Sequence, residues 1–258
     1  MPAPFNPFKA ALANRKPQTG LWIGLANPLV AELCAYHNFD WLVVDGEHAP
    51  NDLPLIALQL KAIASAGGTA VVRPPMGEPW MLKQLLDAGA QSLIVPMVDT
   101  AEQAAALVRA VRYPPEGIRG VGAGLASASQ FNQIADYLTT ANDQICLVVQ
   151  AETRTAMENL PDICDTEGVD GVFFGPADLA ADMGLLGKPG AADVVSVVER
   201  GIRTVVKSGK PAGVLTPDLT LARRYASAGA TFIAIGSDVS ILSAGLQSVR
   251  SRFEDPAC

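Results

Sequence analysis

The sequence predicts an α/β fold, a (β/α)8 TIM barrel forming one domain over residues 1–258, and three observations carry that prediction. Strand-like and helix-like segments alternate from end to end. Eight such pairs fit within about 250 residues, the count and size of this barrel. The units are near-equal with no linker between them, which favours a closed barrel over a doubly wound open sheet.

Taken in order, Phe5–Arg15 reads as a short helix plugging the bottom of the barrel. Strands are expected at residues 19–26, 41–46, 69–74, 92–98, 144–152, 169–175, 211–216 and 231–237. The second is typical, since Leu42, Val43 and Val44 form the continuous apolar run of a parallel strand covered on both faces. Amphipathic helices are expected at 52–66, 79–88, 100–112, 153–166, 193–208, 218–228 and 239–253. Several close at a glycine (Gly67, Gly89, Gly209, Gly229), where a left-handed residue is wanted after the last turn. Residues 114–143 form one long connection, with a helix expected at Gln130–Thr140. Gly120, Gly122 and Gly124 in it read as a flexible loop, because no strand leads into them as a phosphate-binding turn requires.

Composition narrows the function classes. Hydrophobic residues make up 49% against 17% charged, which excludes a disordered chain. A net charge of -7 argues against nucleic-acid and anionic-membrane partners. Cys34, Cys146, Cys164 and Cys258 lie far apart without a CxxC pair, so neither a zinc site nor a disulfide framework is expected. The N-terminus has no apolar signal region and no segment is apolar enough to span a bilayer, so a cytoplasmic protein is expected.

In a barrel of this kind the chemistry sits at the carboxyl ends of the strands. Those positions hold Trp22, then Asp45, Glu47 and His48, then Arg73, then Gln150 and Glu152, then Gly175, Pro176, Ala177 and Asp178, and finally Leu215 and Thr216. Glu152 and Asp178 end neighbouring strands, and two hard oxygen donors without cysteine suit Mg²⁺ or Mn²⁺. Capping of the helices that follow is the other reading of these two acids. His48 is one of two histidines, and Asp45, three residues before it, is close enough to orient an imidazole. A loop histidine bonded to backbone is the alternative. Arg73 at a barrel mouth suits a carboxylate or enolate oxygen, and an ion pair with Asp45 or Glu47 is compatible with that role. The Gly175–Asp178 turn opens a short helix whose N–H groups could receive a carboxylate.

Six motifs give the chain a specific resemblance over essentially its whole length: Asp45-Gly46-Glu47-His48-Ala49-Pro50-Asn51, Val72-Arg73-Pro74, Val95-Pro96-Met97-Val98, Arg112-Tyr113-Pro114-Pro115 with Gly117-Ile118-Arg119-Gly120, Gln150-Ala151-Glu152-Thr153-Arg154, and Gly175-Pro176-Ala177-Asp178-Leu179. With these the chain resembles the class II, metal-dependent pyruvate aldolases of the 4-hydroxy-2-oxoheptanedioate (hydroxy-ketoacid) aldolase family. The resemblance implies a lyase of aromatic catabolism that reversibly cleaves 4-hydroxy-2-oxo acids to pyruvate, or a related 2-keto acid such as hydroxypyruvate, and an aldehyde. It implies Glu152 and Asp178 as metal ligands for Mg²⁺ or Mn²⁺, with Co²⁺ a further candidate. It also implies His48 with Asp45 as base, Arg73 on the pyruvyl oxygen, and Gln150 beside the metal. Gly175, Pro176, Ala177 and Asp178 would receive the carboxylate, Trp22 and Leu215 would line the pocket, and Asp87 would approach from a neighbouring subunit. The family further implies a homohexamer, a trimer of dimers, with the last helix exchanged between subunits. The apolar Ile241, Leu242, Leu246 and Val249 fit such a packed helix.

Two related enzymes and one non-enzyme compete with this reading. A Schiff-base aldolase would need a desolvated lysine at a strand end, and the seven lysines fall elsewhere. A barrel lyase acting on acyl-CoA thioesters is a closer relative, although no CoA-binding region is marked. A non-catalytic keto-acid-binding barrel would bind the same ligand without exchanging its protons.

Overall fold

The computed structural model describes residues 1–254, so Cys258 lies outside the described residues. Eight parallel strands close in sequence order into a barrel: β1 (Gln18–Ile23), β2 (Trp41–Asp45), β3 (Ala70–Arg73), β4 (Ser92–Val95), β5 (Cys146–Ala151), β6 (Gly171–Phe174), β7 (Ala212–Leu215) and β8 (Phe232–Ser237). The expected (β/α)8 barrel is therefore present. Several strands stop earlier than their apolar runs, as at Val95, just before Met97 turns the chain with φ 56°.

Helix α1 (Pro7–Ala13) begins at Asn6, whose side chain accepts from the Lys9 N–H at 3.0 Å and donates to Ser92 Oγ at 2.9 Å. It drives Phe8 and Leu12 into the barrel, where the Phe8 ring lies 5.4 Å from Trp41 and 5.8 Å from Phe232. This is the bottom plug that the sequence predicts. Gly20 leaves the room that the Trp41 indole fills, since a Cβ there would collide with it.

The outer layer is α2 (Pro28–Ala35), α3 (Leu53–Ser65), α4 (Pro79–Ala88), α5 (Ala101–Val111), α6 (Tyr137–Gln144), α7 (Arg154–Glu158), α8 (Leu160–Asp165), α9 (Pro176–Asp182), α10 (Ala192–Lys207), α11 (Leu219–Ala228) and α12 (Asp238–Glu254). Three differences from expectation have local causes. The helix expected at Gln130–Thr140 begins at Tyr137 instead, because Gln130, Phe131 and Asn132 all adopt positive φ. The segment 153–166 divides at Asn159, with Pro161 opening the second piece. Helix α2 is an addition, and its apolar Leu29 and Leu33 face outward, which hides any amphipathic period.

Side-chain alternation along the strands sets up the site. Trp41 and Val43 of β2 point into the barrel, and Leu42 and Val44 point to the helix layer. The same parity puts Val71 of β3, Cys146 and Val148 of β5 and Phe173 of β6 inside. Continued by one step, it turns Asp45, Arg73, Gln150 and Gly175 inward at the mouth, with Glu152 next in line.

Candidate active site

The mouth of the barrel opens on a cavity of about 440 Å³, lined on one side by Trp22, His48, Arg73, Gln150 and Gly175 to Asp178. Its outer wall is Pro189, Gly190 and the run from Leu215 to Asp218, with Leu221 behind. Nine expected residues (Trp22, His48, Arg73, Gln150, Gly175, Pro176, Ala177, Asp178 and Leu215) thus share one cavity. Thr216, expected with Leu215 at the end of the seventh strand, lines it too, whereas Pro189, Gly190, Pro217 and Asp218 enter from loops whose paths local sequence does not specify.

Arg73 is fixed from three directions. Its Nε and Nη2 donate to the two oxygens of Asp45 at 2.9 and 2.7 Å, and Nη1 lies 2.7 Å from Glu47 Oε2. The Glu47 contact is an ion pair without hydrogen-bond geometry, leaving that oxygen with no donor among the described residues. The guanidinium also sits 4.9 Å from the Trp22 ring centre, stacked on its face. The pairing follows from register, since Asp45 and Arg73 are direct partners across β2 and β3. Burial alone would push the Asp45 carboxyl up, but the Arg73 hydrogen bonds and charge, with the Glu47 N–H, hold it below the usual range. For Glu47 burial prevails over Arg73 and His48, and its carboxyl is pushed up.

That geometry corrects one expectation. Asp45 does not orient the His48 imidazole, because its oxygens are engaged by Arg73 and by the Glu47 and His48 backbone N–H groups at 3.0 and 3.4 Å. The acid beside the ring is Glu47, with Oε2 3.8 Å from Nε2. The His48 side chain is 66% exposed and lines the cavity.

Glu152 is 1% exposed. Its Oε1 accepts from the Met97 N–H at 2.8 Å and its Oε2 from Gln150 Nε2, and no cation pairs with it among the described residues. Burial pushes its carboxyl up to about 7, and the neighbouring Asp178 and Glu47 charges add to this against the two hydrogen bonds. Glu152 does not cap α7, where Thr153 accepts from the Ala156 N–H at 2.9 Å instead. Asp178 lies in the first turn of α9, exposed at the cavity, and accepts no hydrogen bond among the described residues. Gly175 is required here because a Cβ would collide with Glu152 Oε2 and press on Gln150 Nε2 at 3.1 Å.

These donors fit a hard divalent cation. Among the described residues, Glu152 is a buried carboxylate lacking a counter-charge, Gln150 Oε1 is buried with no partner, and Asp178 is an unengaged carboxylate beside them. All are oxygens, the ligand type of Mg²⁺ and Mn²⁺. Among the described residues no group of three or more His, Cys, Asp and Glu side chains forms a metal cage, so most of a cation's remaining positions would fall to water and ligand. Asp87 stays out of this cavity and accepts from Arg119 Nη2 at 2.7 Å. Arg119 is buried over the Tyr113 ring at 4.2 Å, and burial raises the Tyr113 phenol to about 12.

Ionisable groups gathered at the carboxyl ends of barrel strands, around one cavity, define the chain as a barrel enzyme. Its residues 18–244 match the model of the HpcH/HpaI aldolase/citrate lyase family, and the chain belongs to that family of carbon–carbon lyases. It is 54% identical to a hydroxypyruvate/pyruvate aldolase of Agrobacterium fabrum over 98% of this chain and 96% of that protein. It is 52% identical to a 4-hydroxy-2-oxo-heptane-1,7-dioate aldolase of Escherichia coli, over 96% and 95%. The crystal structure of an HpcH/HpaI aldolase/citrate lyase family protein from Burkholderia cenocepacia superposes with a TM-score of 0.93 at 38% identity, covering 97% of this chain and 100% of that one.

Proposed function

We propose that this protein is a divalent-metal-dependent class II aldolase that reversibly cleaves 4-hydroxy-2-oxo acids to pyruvate or hydroxypyruvate and an aldehyde. The observation that carries this reading is Glu152, a buried carboxylate without a counter-cation among the described residues, packed against Gln150 and Gly175 of a cavity that also presents Arg73 and His48. Glu152 and Asp178 would hold the cation, Mg²⁺, Mn²⁺ or Co²⁺, with Gln150 Oε1 beside it. When bound, such an ion polarises the keto-acid carbonyl and stabilises charge as the enolate develops.

The chain's own residues supply the rest. Arg73 keeps N–H groups beyond those spent on Asp45 and faces the keto-acid oxygens, held rigidly enough to stabilise developing negative charge. The first-turn N–H groups of Ala177 and Asp178 have no intrahelical acceptors and are placed for the carboxylate. His48 moves the proton between the methyl carbon of pyruvate and solvent, assisted by Glu47 rather than Asp45. Trp22 and Phe173, whose rings lie 5.6 Å apart, close the floor against water. Among the described residues no lysine lines the cavity, which disfavours a Schiff-base route.

The decisive experiment mixes protein, pyruvate and Mg²⁺ or Mn²⁺ in D₂O and follows the methyl NMR signal. Metal-dependent loss of that signal is expected. Pyruvate binding without exchange would support a non-catalytic barrel, and activity confined to acyl-CoA thioesters would support the other lyase. His48→Ala should slow exchange by roughly 10²–10⁴ while metal content stays near wild type. Loss of metal with normal exchange after reloading would show that His48 is a ligand instead. Leu215→Ala should enlarge the acceptor wall and change kcat/KM ratios among short and long aldehydes, by tens- to hundreds-fold at most, at about 1–3 kcal/mol per methylene. An unchanged aldehyde profile with collapsed pyruvate exchange would place Leu215 in the donor site.

The reading extends to assembly. No helix among the described residues is long and apolar enough to cross a membrane. Helix α12 leaves Ile241, Leu242, Leu246, Val249 and Phe253 exposed, a face suited to exchange between subunits in a homohexamer, a trimer of dimers. Asp87, outside its own cavity, is then available to a neighbour's. A role in the cytoplasmic breakdown of aromatic compounds belongs to the same reading.

A further inference from the structure

We infer that Thr216 is a specificity-determining residue that selects acceptor aldehydes bearing a hydroxyl group next to the carbonyl. The inference rests on the aldolase reading above and names the acceptor class for that same cavity. The outer wall of the cavity is apolar apart from two side chains: Pro189, Gly190, Leu215, Pro217 and Leu221 surround Thr216 and Asp218. Asp218 is exposed and caps α11, its Oδ1 accepting from the Thr220 and Leu221 N–H groups at 2.8 and 3.2 Å. Thr216 is different. It is only 5% exposed yet lines the cavity, fixed by its own backbone N–H to Ala234 O at 3.0 Å.

The Thr216 hydroxyl accepts from the Asp218 N–H at 3.3 Å, and its own proton has no acceptor among the described residues. A buried hydroxyl with an unspent donor is costly, and a ligand oxygen arriving in the cavity removes that cost. The keto-acid end is already matched by Arg73 and Gln150, at the ends of β3 and β5, and by the start of α9, which follows β6 beside β7. The group that reaches Thr216 is therefore an oxygen on the acceptor, and a wall that is apolar but for the Asp218 carboxylate, which would repel an anion, suits an uncharged hydroxyl.

The test compares Thr216→Val, which keeps the shape without the hydroxyl, with Thr216→Ser, which keeps the hydroxyl. For each, kcat/KM is measured with glycolaldehyde and with acetaldehyde, two uncharged acceptors that differ by one hydroxyl. The glycolaldehyde-to-acetaldehyde ratio should fall about three- to tenfold in the Val variant, the range of one neutral hydrogen bond, and recover in the Ser variant. Acceptor-independent exchange of the pyruvate methyl protons should move less than the ratio. An unchanged ratio, or a fall that Thr216→Ser does not rescue, overturns the inference. So does a fall confined to the hydroxypyruvate-to-pyruvate donor ratio at a fixed aldehyde, which would place Thr216 on the donor. A wild-type protein that exchanges no pyruvate protons would instead overturn the aldolase reading itself.

Discussion

Glu152→Gln is expected to abolish metal-dependent exchange and cleavage while leaving the barrel folded. The amide can still accept from the Met97 N–H, and rotation of Gln150 would turn its unpaired Oε1 toward the new NH₂ group. What is lost is the charge that attracts a hard cation, and the deficit should exceed the roughly 10–100-fold that loss of an outer-shell partner costs. Stability gives a second readout with a definite sign. In metal-free wild type the Glu152 carboxyl is raised from 4.5 to about 7, so the folded state keeps a proton that the unfolded chain releases across that window. The native state therefore loses stability as pH rises from about 4.5 to 7, by up to about 3 kcal/mol, and is flat above. Glu152→Gln should lack this loss, so the two proteins converge near pH 4.5 and the variant is the more stable at pH 8. Adding Mn²⁺ at pH 8 should stabilise wild type only. Denaturant unfolding of chelated proteins across this range checks it, and identical pH and metal responses would show that Glu152 neither titrates nor binds metal.

Much of this site was legible because strand parity is so regular. Once Trp41 and Val43 face inward, Asp45 must follow, and Gln150 and Glu152 continue the inward series of β5 in the same way. Spacing in sequence was a poorer guide to partners. Three residues separate Asp45 from His48, but Arg73 lies in register across the neighbouring strand with a forked group that matches both carboxylate oxygens. The cross-strand neighbour takes the carboxylate, and the histidine is left to Glu47. Met97 lies in one of the six motifs, but its contact with Glu152 was not legible, because that contribution is a backbone N–H aimed by a positive φ. Pro189, Gly190 and Asp218 were equally silent, since loops reach the cavity by tertiary paths without a period. Helix α2 was hidden for the opposite reason: both its faces are apolar, and no stripe distinguishes it.

Arg73→Ala should damage stability and activity together, and a second substitution should separate them. The guanidinium is 7% exposed, and removing it leaves the Asp45 carboxylate, 4% exposed, without its cation. Stranding one member of a buried pair costs about 3–5 kcal/mol, or roughly 6–20 °C in Tm for a chain of this size. Acid sensitivity should change in a specific direction. With Arg73 present, the depressed Asp45 carboxyl contributes stability that is fully present above its unfolded pKa and is lost as pH falls through its lower folded value. Without Arg73, burial is opposed only by the Glu47 N–H and the Trp22 side chain, and most of that contribution disappears. Arg73→Lys is not a mild change either, since one ammonium cannot satisfy both Asp45 oxygens, reach Glu47 and stack on Trp22. Asp45→Asn in the Arg73→Ala background removes the stranded charge and should return most of the lost stability. Activity should not return, because the donor facing the keto-acid oxygens is still missing, a loss of roughly 10²–10³ in rate. Melting curves and pyruvate exchange on the single and double variants give the comparison. If the double variant regains exchange along with stability, Arg73 serves only to hold Asp45, and the keto-acid oxygens are bound by some other group.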